Sequence, residues 1–160
     1  VDGVVKSKTS DLLNEISYLP QDNFIPNSFS IQKTIQLAIA KEKLQDFYAD
    51  EMIQSMLNKK IKHLSGGELR YLEIKLILNN ASTFVLLDEP YNGLSPIMIE
   101  KINKLITTMS SVKGIIITDH NYENVIKVST KLALMKEGKM HHLKDKNELV
   151  EKGYLKSGMI

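Results

Sequence analysis

Two short runs, "TFVLLDEP" ending at Pro90 and "KGIIITDH" ending at His120, restrict the possible folds more than any other feature of the chain. Each is continuously apolar instead of alternating, the pattern of a strand buried on both faces. Between them, Ile97 to Met109 has helical periodicity. Strand, helix and strand in that order make a βαβ unit, with parallel strands and a right-handed crossover. Both strands then end at one edge of the sheet, and open α/β sheets bind their ligands at that carboxyl edge.

Upstream, "EISYL" (Glu15 to Leu19) reads as a strand stopped by Pro20, and Val1 to Val5, interrupted by Asp2-Gly3, as the end of a hairpin. From Ser30 the pattern turns helical: Ser30 is an N-cap, Ile31, Ile35 and Ile39 recur at helical spacing, and Lys33 rules out a capping box. Helical segments continue through "KEKLQDFYADEMIQSMLNKK" to a helix that opens at Ser65. Downstream, Leu132 to Met135 reads as a strand turning at Glu137-Gly138, with His141 and His142 on an exposed strand after it and a short helix near Asn147 to Lys152. The expected organisation is the end of a β part over 1–27, a helical subdomain over 28–80 and an α/β half over 81–160.

The length of 160 residues, with 42% hydrophobic and 25% charged, suits a globular domain with a sizeable core. A net charge of +2 on scattered lysines lacks the basic stripe of a nucleic-acid binder, so no direct contact with nucleic acid is expected. Lys59, Lys60 and Lys62 read as a solvated helix end, His63 as a surface residue, and the seven methionines as core fillers. Without cysteine there is no disulfide framework and no thiolate metal site. No run approaches the roughly 18 apolar residues of a membrane-spanning helix.

The stretch "HLSGGELRYLEIKLIL" sets two glycines at the head of a helix, although glycine inside a helix costs about 1 kcal/mol relative to alanine. Ser65 and Glu68 form a capping box, which puts Gly66 and Gly67 in the first turn. N–H groups there have no intrahelical partner, and the macrodipole leaves roughly half a positive charge. Without a Cβ on either glycine, an anion as large as a phosphate could approach those groups. The same residues equally suit an ordinary capped helix. Asp88 and Glu89 end one strand: one can hold Mg²⁺ and the other orient an attacking water, or both simply leave the strand for solvent. His120 ends the next strand, which brings an Asp-Glu pair and a histidine to one edge.

Four stretches in order, "YLPQ" ending at Gln21, "LSGGE" (Leu64 to Glu68), "FVLLDEP" (Phe84 to Pro90) and "IIITDH" ending at His120, resemble the Q-loop, signature motif, Walker B motif and switch histidine of an ABC-type ATPase. The resemblance runs from about Val1 to Leu155. "DEPYNGLSP" followed by "ITDHN" is especially similar to the ATPase subunits of branched-chain amino-acid importers and lipopolysaccharide exporters. The resemblance implies an α/β fold, an ABC ATPase domain of the P-loop NTPase type with a mostly parallel sheet and a helical subdomain. It implies ATP and Mg²⁺ as cofactors, with Gln21, Leu64, Ser65, Gly66, Gly67 and Glu68 binding nucleotide, Asp88 and Gln21 serving Mg²⁺, and Glu89 and His120 catalytic. It further implies a second ABC ATPase domain, in a homo- or heterodimer, whose nucleotide receives the signature residues. Transmembrane permease subunits are the other implied partners, which would hold the protein in the cytoplasm on the inner face of the membrane. Gly93, Leu94 and Ser95 fall on the D-loop, which usually ends in leucine-aspartate, so Ser95 removes that loop's carboxylate.

The phosphate-cradling pattern G-x-x-x-x-G-K-[ST] is missing: Gly153 and Gly158 have its spacing, but Met159 and Ile160 follow. The family's P-loop is expected before Val1, the domain here is expected to be incomplete, and hydrolysis by this chain alone is not expected. Two rival readings are a soluble ABC protein acting on ribosomes or nucleic acid and a degenerate, non-catalytic regulatory module. The ribosomal proteins usually carry "SHD" at the switch and a long basic linker, whereas this chain has "TDH" and no such linker.

Overall fold

The computed structural model describes residues 15–156; the hairpin reading of Val1 to Val5, and Gly158, lie outside them. The chain divides into two compact units that meet in sequence at His120 and Asn121. In the first unit, β1 (Ile16–Leu19) is followed by helices α1 (Ile31–Ala38), α2 (Leu44–Tyr48), α3 (Glu51–Met56) and α4 (Gly66–Asn79). Then come β2 (Phe84–Asp88), α5 (Pro96–Met109) and β3 (Gly114–Thr118), the βαβ unit expected from the apolar runs. The sheet has the order β1-β2-β3 and is parallel throughout, with Leu19 level with Leu87 and Asp88 level with Thr118.

Side-chain chemistry starts each of the longer helices. Ser30 accepts a hydrogen bond from the Lys33 N–H at 3.2 Å and begins α1. Ser95 accepts from the Met98 N–H at 3.4 Å and Pro96 occupies the first turn of α5, a position where its missing N–H and fixed φ are no handicap. Serine is thus sufficient to cap this helix.

One expectation is corrected. Phe84 to Leu87 and Ile115 to Ile117 are not buried on both faces: Val85 and Leu87 are buried, but in the row Tyr18, Leu86 and Ile116 the central Leu86 is half-buried and Tyr18 and Ile116 are 53% and 58% exposed. Successive side chains leave a strand on opposite faces, and α4 lies against β1 and β2 on the buried side.

Helix α4 is the pillar of this unit, lying against α3, α5, β1 and β2. Its apolar residues Leu72, Ile74 and Leu78 are fully buried, and so are, almost completely, Arg70, Tyr71, Glu73 and Lys75. A buried charge needs a partner. For Lys75 the partner is Asp50, whose Oδ2 accepts from Lys75 Nζ at 2.5 Å and from the Tyr71 hydroxyl at 2.6 Å. Its Oδ1 caps α3 by accepting from the Met52 and Ile53 N–H groups at 2.9 and 3.1 Å. Burial alone would push the Asp50 carboxyl up, but the hydrogen bonds from Lys75 and Tyr71 outweigh it and hold the group below its ordinary value.

The second unit pairs β4 (Leu132–Lys136) with β5 (Lys139–Leu143) in an antiparallel hairpin. Glu137 and Gly138 make its turn with φ of 51° and 72°, the left-handed pair that matches strand twist. His141 and His142 fall on β5 as expected. Leu134, Leu149 and Leu155 form a small core with Tyr122 and Ile126 of helix α6 (Tyr122–Val128) and Val150 of helix α7 (Glu148–Glu151) packed against it. The methionines are not all core fillers: Met56 is fully buried, but Met135 and Met140 face each other across the hairpin, 75% and 62% exposed.

The Asp50 network predicts a graded response. Asp50→Ala removes a cap and leaves Lys75 an unpaired buried charge, and should cost at least about 3 kcal/mol in urea unfolding. Asp50→Asn keeps an acceptor for the cap and should cost less. Because the folded carboxyl titrates below its unfolded value, its stabilisation is present above the ordinary carboxylate range and is lost as pH falls through the lowered value. The acid limb of stability should therefore be shallower in Asp50→Asn; an unchanged limb would show that Asp50 does not carry it.

Candidate functional site

The three parallel strands deliver their ends to one edge. Pro20 and Gln21 follow β1, Asp88 and Glu89 end β2, and Thr118, Asp119 and His120 end β3. Gln21 is exposed at this edge. Asp88 is fastened from both sides: Oδ1 accepts from the Thr118 hydroxyl at 2.6 Å and Oδ2 from the Tyr18 hydroxyl at 2.9 Å. Those hydrogen bonds, Thr118 first, hold its carboxyl below the ordinary value, so Asp88 is ionised at neutral pH.

Glu89 has φ of 44°, a left-handed backbone that is strained in a residue with a side chain. The strain is over-determined by its surroundings. The Glu89 N–H donates to the Thr118 carbonyl at 2.7 Å, and its own carbonyl accepts from the Asn92 N–H at 3.3 Å. One turn onward, the Tyr91 N–H donates to Asp119 Oδ2 at 3.0 Å, and the Tyr91 hydroxyl donates to Asn103 at 2.7 Å. His120 is 71% exposed, with Nδ1 at 3.9 Å from Glu89 Oε1 and 3.8 Å from Asp119 Oδ1.

The glycine-fronted helix has the expected cap in full. Ser65 Oγ accepts from the Glu68 N–H at 3.2 Å, and Glu68 Oε2 accepts from the Ser65 N–H at 2.8 Å. Lys59 does not end in solvent alone: its Nζ donates to Glu68 Oε1 at 2.8 Å, and this bond, with the Ser65 N–H, lowers the Glu68 carboxyl. Leu64 links this cap to the turn Ile61–His63, on which His63 is exposed. A Cβ on Gly66 would meet nothing within 4 Å, whereas one on Gly67 would sit 3.6 Å from Leu94 and 3.7 Å from Met98. The start of α4 thus lies beside the turn that carries Gly93 and Leu94, where Gly93 has φ of 68°, a value that favours glycine.

Sequence reasoning missed the residues that hold the edge together. Arg70, 5% exposed, donates from Nη1 to the Pro20 carbonyl at 2.7 Å and from Nη2 to the Asp88 and Glu89 carbonyls at 2.8 and 3.1 Å. Glu73, fully buried, accepts through Oε1 from the N–H groups of Phe24 and Ile25, at 2.8 and 3.4 Å. Burial pushes the Glu73 carboxyl up. A signal existed: the helix is apolar on every side, so its charged residues had to be buried and partnered. Tyr18, Thr118 and Asp119 gave no comparable signal.

The donors at the edge suit Mg²⁺, a hard cation that takes one or two protein oxygens and completes its shell with water and phosphate. Asp88 is an ionised carboxylate and Gln21 offers an amide oxygen. Among the described residues no three acidic or histidine side chains cluster into a closed metal cage, and none is needed for such an ion.

The sequence pattern of the family described as ABC transporter matches residues 2–92. The chain is 28% identical over 146 residues to the lipopolysaccharide export system ATP-binding protein LptB of Acidithiobacillus ferridurans, covering 85% of this chain and 61% of that protein. It is 33% identical over 136 residues to LptB of Haemophilus influenzae, covering 78% of this chain and 56% of that one. It therefore spans somewhat more than half the length of these relatives. Among solved structures, an ATP-binding subunit of an ABC transporter superposes with a TM-score of 0.71 over 87% of this chain and 62% of the other, at 14% identity, which shows the fold. With an α/β fold, a parallel sheet and the matched sequence pattern, the chain belongs to the ABC transporter family, as part of its ATPase domain.

Proposed function

We propose that this chain supplies the helical subdomain and catalytic edge of an ATP-hydrolysing transporter subunit that works in a head-to-tail dimer on a transmembrane partner. The observation that carries the reading is the convergence of Gln21, Asp88, Glu89 and His120 on one sheet edge. A capped helix that opens on Gly66 and Gly67 in the same unit supports it. None of the helices among the described residues is long and apolar enough to cross a membrane; the transmembrane partner is part of the proposal. The names of the LptB relatives make an exported lipid one candidate cargo.

In this reading Asp88 and Gln21 would hold Mg²⁺, which neutralises charge on phosphate oxygens when bound. Glu89 orients the attacking water and takes its proton. His120, whose Nδ1 lies 3.9 Å from Glu89 Oε1, would donate toward the γ-phosphate. Ser65, Gly66 and Gly67 present N–H groups and the positive helix end to the nucleotide of the second protomer. The strained Glu89 backbone keeps its carboxylate at the edge.

Three outcomes test this. The chain alone, without a P-loop pattern, should show no ATP turnover above background, because that loop makes most contacts to the β- and γ-phosphates; robust Mg-dependent turnover would overturn it. In the complete subunit, Glu89→Gln should bind ATP and accumulate as dimer but lose hydrolysis by about 10²–10⁴. Steady-state turnover within about tenfold of the parent would assign the base elsewhere.

The third outcome separates a helix cap from a phosphate ligand. Neither glycine has a left-handed φ, so alanine at Gly66 should leave the monomer level or stabilise it by up to about 1 kcal/mol. Its methyl group would project into open space, which is where a partner's phosphate would arrive. ATP-driven dimerisation, measured in a Glu89→Gln background, should therefore fall in Gly66→Ala. In Gly67→Ala the methyl group packs on Leu94 and Met98 of the same chain, and dimerisation should fall less. Equal dimerisation in Gly66→Ala and parent would leave Gly66 only a helix start.

A further inference from the structure

We propose that Arg70 and Glu73 are positioning residues that fasten the loop around Gln21 and the Asp88-Glu89 turn to one helix, so that displacement of either is felt at the other. The proposal rests on the roles of Gln21 and Glu89 given above. Pro20 and Asp88 stand where the β1-β2 ladder has run out, and their carbonyls find no strand partner there. Arg70 replaces the ladder with its guanidinium, bonding the Pro20 carbonyl through one nitrogen and the Asp88 and Glu89 carbonyls through the other. Only a planar fork can serve such divergent acceptors at once. One helical turn onward, Glu73 holds the far side of the same loop through the Phe24 and Ile25 N–H groups. The loop that carries Gln21 is thereby gripped on both flanks from α4.

The grip has a built-in alternative. Glu73 Oε2 is buried without a hydrogen-bond partner among the described residues and lies 3.7 Å from Arg70 Nη1, beyond hydrogen-bond length. Buried acceptors left unsatisfied are unusual. If Pro20 moves away, Nη1 has this second acceptor close by, and the guanidinium turns relative to the Glu89 carbonyl that it also holds. Movement at the Q-loop then reaches the strained residue at the end of β2.

The test uses the complete subunit and reads single-turnover hydrolysis beside affinity for a fluorescent ATP analogue. Arg70→Lys keeps the charge but cannot span the carbonyls. Hydrolysis per folded molecule should fall by about tenfold to a hundredfold, while affinity stays within about twofold; the melting temperature should fall as well, because carbonyls are left without a partner. Glu73→Gln keeps an acceptor for Phe24 and Ile25 but loses the second acceptor, and should show the same split; it decides the matter if Arg70→Lys does not fold. Glu73→Ala should speed hydrogen exchange at the Phe24 and Ile25 amides, a readout independent of catalysis. Parental hydrolysis in both conservative variants, or affinity falling in step with hydrolysis, would overturn the proposal, as would unchanged exchange in Glu73→Ala. Glu89→Gln run in parallel separates the two ideas: full turnover there sinks the assignment of Glu89, whereas loss there with parental Arg70→Lys sinks only the positioning pair.

Discussion

Everything at the sheet edge depends on one buried cation. The Arg70 guanidinium sits inside the unit with 5% of its surface exposed and bonds three main-chain carbonyls at the ends of two strands. Its desolvation is a large penalty, and burial accordingly lowers its proton affinity. The carbonyls offset that penalty in a way an apolar residue could not, since they too would be buried without partners. A helix that is elsewhere a hydrophobic pillar therefore carries polar groups at the level where loops must be held, with Arg70 and Glu73 toward the edge and Tyr71 and Lys75 toward Asp50.

The parts of the fold legible in the sequence were those set by period and by caps. Apolar runs without alternation marked β2 and β3, helical spacing marked α5, and Ser65 with Glu68 located the start of α4. Burial was less legible, because a continuous apolar strand cannot say whether one face or both are covered; Tyr18 and Ile116 lie open on theirs. The methionines failed for a related reason. Met suits a core gap or an exposed hairpin equally by composition, and Met135 and Met140 are on the hairpin.

The candidate site divides the same way. Residues that end strands, Asp88, Glu89 and His120, could be read from the strands themselves. Residues that support them come from distant places in the chain, as Tyr18 and Thr118 do for Asp88, and no local pattern joins such positions. The left-handed conformation of Glu89 was hidden as well. It precedes Pro90, and a residue before proline ordinarily favours extended backbone, so the local rule pointed away from what the surrounding hydrogen bonds impose.

The double duty of Asp50 has a mechanical consequence. One carboxylate both starts α3 and anchors Tyr71 and Lys75 in the middle of α4, so the two helices are joined at a point and not merely packed. Fourteen residues of α helix make a rod of about 21 Å, and the junction lies near its midpoint. A displacement of α3 is therefore passed directly to the middle of the rod, and the rod's leading end is Gly66.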